Sequence, residues 1–87
     1  MTKPSSHQKL KTLDLHGCLA DEVQDKVDHF IHQGQKSGQH QLRIMTGKGK
    51  GIVKKVVIDY LNLGRFPWHY EKMPNGQLNE GVLIVSI

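Results

Sequence analysis

Leu13 and Leu15 alternate with Thr12, Asp14 and His16 along "KTLDLHG" (11–17), which is the two-residue period of a half-buried strand. The period then lengthens. Val23, Val27, Phe30 and Ile31 fall at i, i+4, i+7 and i+8, one stripe of a helix predicted from about 20 to 36. Asp21 and Glu22 complement its N-terminal dipole, and Gly34 or Gly38 is placed to end it. "QLRIM" (41–45) returns to alternation, with Leu42 and Ile44 inward and Arg43 outward. Val53, Val56, Val57, Tyr60 and Leu61 mark a second helical face that stops at Gly64, and Lys54 and Lys55 begin its wet side. "FPWHYEK" (66–72) predicts a third strand at an edge, because Pro67 removes a ladder hydrogen bond. "PNG" (74–76) reads as a turn, and "VLIVSI" (82–87), apolar on both faces, reads as a central strand.

The predicted order is therefore β-α-β-α-β-β. Since the first two strands alternate, only one face of the sheet needs covering. That favours an α/β two-layer sandwich, a mixed four-stranded sheet with both helices on one face, over a doubly wound sheet.

Length and composition narrow the classes. Eighty-seven residues support one modest core. A chain 37% hydrophobic and 23% charged is that of an ordinary folded domain, not a disordered one. No apolar stretch reaches the ~18 residues of a membrane span, and "MTKPSSHQK" lacks the apolar middle of a secretory signal. Residues 1–10 are expected to be a flexible basic arm and 11–87 the domain. A single cysteine, Cys18, cannot form an internal disulfide, so a reducing, cytoplasmic setting is expected. The net charge of +4 is unevenly spread: residues 14–38 carry −3, whereas residues 40–72 carry +5. A basic half joined to an acidic helix suggests an oriented polyanion, nucleic acid first, although a plain solvated surface has the same composition.

Two segments carry candidate chemistry. Asp14 and His16, two apart on a strand, leave the same face ~7 Å apart at Cα. A carboxylate that close can orient an imidazole as a general base, and a polar strand face in water is the alternative. "TGKGKG" (46–51) lacks the spacing of a Walker A loop or a dinucleotide fingerprint. It still joins a strand end to a helix start, where free N–H groups attract anions; a tight turn is the alternative. Thr46, Gly47, Gly49, Lys50 and Gly51 would hold a phosphate, Lys48 would stabilise its charge, and Arg43 and Lys54 would complete the basic set. If strands 1 and 2 are parallel neighbours, both segments open onto one edge, where ligands bind in open α/β sheets.

With those motifs in place, the chain resembles the Smr (small MutS-related) domain. "LDLHG" (13–17) is similar to the family's L-D-x-H-G motif. "TGKGKG" is similar to its [TH]-G-x-G-x-G motif, and the V-rich basic helix "IVKKVVIDYL" follows as in the family. The resemblance spans about residues 11–87. It implies the β-α-β-α-β-β fold and RNA cleavage or DNA nicking, with Asp14 and His16 catalytic and Gly47, Lys48 and Gly49 contributing. Three positions depart from the pattern: only Gly81 remains of a Gly-Gly-x-Gly turn, Leu19 stands where Thr or Ser often caps the first helix, and Lys54 replaces a common arginine.

The remaining candidates read more plainly. Cys18 has no partner cluster and suits a small residue in a loop. His29 and His32 are i,i+4 surface partners of Asp25 and Asp28, and with Cys18 they make a poor zinc set. Trp68 and Tyr70 share a strand face; covering the core is favoured over stacking on bases. The leading expectation is an endonuclease in which His16, oriented by Asp14, takes a proton from the attacking hydroxyl. A divalent metal is compatible with these residues but not demanded by them. A non-catalytic nucleic-acid-binding module in a ribosome or DNA-repair assembly is the alternative. A protein-interaction domain, monomeric or weakly homodimeric, is a third.

Overall fold

The computed structural model describes residues 10–47 and 51–87. The elements run β1 (Thr12–Asp14), α1 (Ala20–Lys36), β2 (Gln41–Met45), α2 (Ile52–Leu63), β3 (Trp68–Lys72) and β4 (Leu78–Ser86). The described strands form one mixed sheet in the order β1-β2-β4-β3. β1 and β2 are parallel, with Asp14 beside Met45, while β4 is antiparallel to both β2 and β3. The C-terminal ends of β1, β2 and β3 therefore share one edge.

Both helices pack on one face, as the one-sided alternation requires. Val23, Val27 and Ile31 of α1 and Val57 and Leu61 of α2 are fully buried against Leu15, Leu42, Ile44, Leu83 and Val85. Each such side chain contributes ~1.5–3 kcal/mol on leaving water. Trp68 and Tyr70 flank the same core, their rings edge to face at 5.3 Å, and the Trp68 indole donates to Asn62 Oδ1 at 3.1 Å. These two aromatics close the end of the sandwich at the edge strand, the packing role favoured for them.

α1 runs through Gly34 instead of stopping there. Gly34 is buried, and a Cβ at that position would lie 2.8 Å from Leu42 Cδ1. Its missing side chain lets α1 approach β2 closely. β4 is longer than the apolar run predicts. Leu78–Glu80 are too polar and exposed to signal burial, yet Leu78 and Asn79 pair with Lys72 and Glu71 as the second arm of a hairpin, past an irregularity at Tyr70/Glu71. β1 is shorter than predicted because the chain turns immediately after Leu15. The Cys18 N–H donates to the Leu15 carbonyl at 3.0 Å, and Gly17 takes φ +81°. A turn of this kind requires the left-handed region at its third residue, which glycine enters without steric cost. Among the described residues, no helix is long and apolar enough to cross a membrane.

Candidate functional site

Parallel pairing sends the "LDLHG" and "TGKGKG" segments off the sheet side by side. The Leu15 N–H donates to the Met45 carbonyl at 2.9 Å, which keeps the two strands in register to their ends. Beyond that point His16 and Gly17 occupy the turn to α1, and Thr46 and Gly47 begin the loop to α2. His16 is exposed.

Asp14 is placed differently from expectation. Its Oδ1 accepts a hydrogen bond from the backbone N–H of His16 at 2.9 Å. The pleat ends at Asp14, so the same-face argument does not carry to His16. The carboxylate ties down the turn that presents the imidazole, and its contact is with main chain, not ring.

The loop's first residues are anchored from across the sheet. The Gly81 carbonyl of β4 accepts from Thr46 N–H at 2.8 Å and Gly47 N–H at 3.2 Å. Thr46 is buried, and its hydroxyl reaches the Gly47 and Gly81 carbonyls at 3.2 and 3.4 Å. Gly81 thus fixes where the loop departs. Sequence alone could not assign that role, because it depends on which strand lies next to β2. Lys48, Gly49 and Lys50 lie outside the described residues, as do residues 1–9 of the N-terminal arm.

Where the loop ends, Gly51 caps α2 at φ 83° without a side-chain bond to the helix, and the first turn of α2 holds no acidic residue. Its leading amides have no intrahelical acceptor, and the dipole there favours anions. A cleft of ≈ 320 Å³ opens between the starts of the two helices. Cys18, Leu19 and Ala20 form one wall, Gly51, Ile52, Val53 and Lys54 the other, with Thr46 beside them. Of the predicted binding residues, Thr46, Gly51 and Lys54 meet here. The ammonium of Lys54 lies 5.4 Å from the ring centroid of Tyr70, a cation–π contact that limits where its charge can go. Leu19, Cys18 and Ile52 were not expected to line a site; their joint position follows from two helix starts facing each other.

Arg43 does not join this cleft. It leaves β2 on the helix-free face, where its guanidinium grips Glu71 through Nε at 2.8 Å and Nη2 at 2.9 Å. This forked hydrogen bond raises the Arg43 pKa and holds the Glu71 carboxyl below its ordinary range against the opposing effect of burial. A phosphate at Arg43 would have to displace that partner. Of the two acidic–histidine pairs on α1, His32 Nδ1 lies 3.4 Å from Asp28 Oδ2. Asp28 also accepts from Tyr60 Oη at 2.5 Å, joining the two helices. Among the described residues, no three His, Cys, Asp or Glu side chains gather as a metal-holding group.

This is an α/β two-layer sandwich with a small cleft at the ends of its parallel strands, between two helix N-termini. The Smr domain model matches residues 13–87, and the chain belongs to that family. A Streptococcus pyogenes protein named endonuclease MutS2 is 31% identical over 75 residues, which cover 86% of this chain but 10% of that protein's length. The crystal structure of the Smr domain of Thermus thermophilus MutS2 superposes with a TM-score of 0.75 at 27% identity, covering 88% of this chain and 96% of that one. YdaL, a stand-alone small MutS-related protein from Escherichia coli, shares the fold at a TM-score of 0.75 and 23% identity, covering 87% of this chain and 63% of that one.

Proposed function

We propose that this chain is a nucleic-acid endonuclease that binds a backbone phosphate at the α2 end of the cleft and cleaves the adjacent ester bond with His16. One observation carries the reading: the turn bearing His16 and the loop leading to the start of α2 leave neighbouring parallel strands at the same edge. Kinship with the domain borne by proteins named endonuclease MutS2 gives the reading its chemical class.

In the proposed reaction, His16 accepts the proton of the attacking hydroxyl, the 2′-OH on RNA or a water on DNA. The oxygen forms a bond to phosphorus, the bond to the leaving oxygen breaks, and that oxygen takes up a proton. Charge growing on the phosphoryl oxygens would be met by the α2 amides, by Lys54 and, on the sequence motif, by Lys48. Asp14 is assigned as a positioning residue that holds the His16 turn. Whether a divalent metal assists is tested together with cleavage. Labelled RNA, single-stranded DNA and supercoiled plasmid are each incubated with the protein, with and without EDTA. Cut RNA or nicked DNA is the expected result. Every substrate left intact under both conditions would overturn the reading.

A second reading, binding without cutting, has one observation in its favour: the Asp14 carboxylate is engaged by main chain and gives the imidazole no hydrogen bond. Affinity for single strands should then fall with salt by ~0.7 log unit per log unit for each phosphate neutralised, with the strand recovered whole.

A further inference from the structure

The described residues expose five large apolar side chains, and two of them, Leu19 at 64% and Ile52 at 58%, stand on facing walls of the cleft. Leu19 is the N-cap of α1, the position where Ser, Thr, Asp or Asn would accept a hydrogen bond from the first turn, and it makes no such bond. Ile52 is the first residue of α2. A pocket built only for an inorganic anion has no use for two exposed aliphatic lips beside Lys54 and the acid-free first turn of α2. The cleft asks for a ligand that is anionic at one end and flat and apolar next to it.

We infer that Leu19 and Ile52 form a base-contacting subsite, so that the cleft takes one unpaired nucleobase beside the phosphate held at the start of α2. The inference rests on the proposed nucleic-acid reading and adds to it the substrate class: single strands, or unpaired positions within a structured nucleic acid. Charge complementarity supports this occupant, since Lys54 and the acid-free first turn of α2 face the same space. Size supports it too. At ≈ 320 Å³ the cleft is at the small end of ligand sites of ~300–1,000 Å³, with room for a single base but not for a duplex. Exposed Leu and Ile side chains are suited to the task, because aliphatic wedges enter unstacked base steps and every base offers an apolar face. Contact through faces predicts little preference among the four bases.

The test uses the whole chain and fluorescence anisotropy with three probes of equal phosphate number. These are a single-stranded oligonucleotide, the same backbone carrying abasic positions, and a fully paired hairpin. Wild type is expected to bind the natural strand roughly ten-fold more tightly than either of the others, the scale of one stacked base. In Leu19→Ser, Ile52→Ser and the double variant, the ratio of natural to abasic affinity should fall toward one. Because a ratio is read, partial loss of folded protein does not imitate the effect; serine is also a favoured N-cap, which protects α1. Equal wild-type affinity for natural and abasic strands would overturn the subsite while leaving the phosphate reading intact. A natural-to-abasic ratio unchanged by the variants would overturn it in the same way. Binding to none of the three probes would overturn both.

Discussion

Asp14 spends its carboxylate on a main-chain N–H, and this decides what its replacement should do. If its task is to fix the Leu15–Cys18 turn, Asp14→Asn keeps an acceptor oxygen in place and should cleave within a few-fold of wild type. Asp14→Ala loses the turn's bond and should cleave at least ten-fold more slowly. Parallel cleavage time courses check this, and equal defects in the two variants would return Asp14 to a role through its charge. Tyr60 offers a second residue-level test. Burial first, and then the hydrogen bond to Asp28, push its phenol from 10.0 up to about 12. A raised acid pKa favours the neutral folded form. Its stabilising contribution is therefore complete below pH 10 and is lost as pH rises through about 12. Phenolate absorbance of wild type against Tyr60→Phe should show one tyrosine titrating late. In urea unfolding series above pH 10, the variant should lack part of the alkaline loss of stability.

Between elements, the uneven legibility of the sequence has physical causes. Both helices follow from their apolar stripes, because a 3.6-residue period over three or more turns has no competing reading. β1 and β2 follow from alternation, and Pro67 correctly announces an edge strand. The N-terminal part of β4 is hidden, since Leu78 and Asn79 pair in a hairpin that buries little. The anchoring of the loop by the Gly81 carbonyl was hidden for a different reason: it depends on a neighbour 35 residues away from Thr46. The Asp14–His16 geometry departs from the spacing argument because spacing gives the side a residue leaves from only while the pleat continues. Gly34 and Gly38 are both placed to stop the helix, and only the depth of the α1–β2 contact reveals Gly34 as a spacer. Gly34→Ala should therefore lower stability by about 1 kcal/mol, overpacking of ~1–3 kcal/mol less the ~1 kcal/mol that alanine gains in a helix. A denaturant titration checks the sign; a variant more stable than wild type would mean that Leu42 yields freely.

At the scale of the whole molecule, charge and topology agree on where a polyanion can lie. The outer surface of α1 carries Asp21, Glu22 and Asp25, all exposed, and repels it. The start of α2 and the strand ends leave the cleft as its entrance. Arg43, which looked like part of the basic set, is instead locked to Glu71 on the opposite face of the sheet, where it stiffens the β2-β4-β3 part of the fold. Membership of the Smr family accords with the proposed nucleic-acid chemistry, and in that proposal His16 is the residue on which cleavage turns. The direct test is single-turnover cleavage of labelled RNA by wild type and His16→Ala, with binding measured on the same samples. The variant is expected to bind RNA within about two-fold of wild type and to cleave it at least a hundred-fold more slowly, the scale of a lost general base. Cleavage by His16→Ala at the wild-type rate would contradict the proposal.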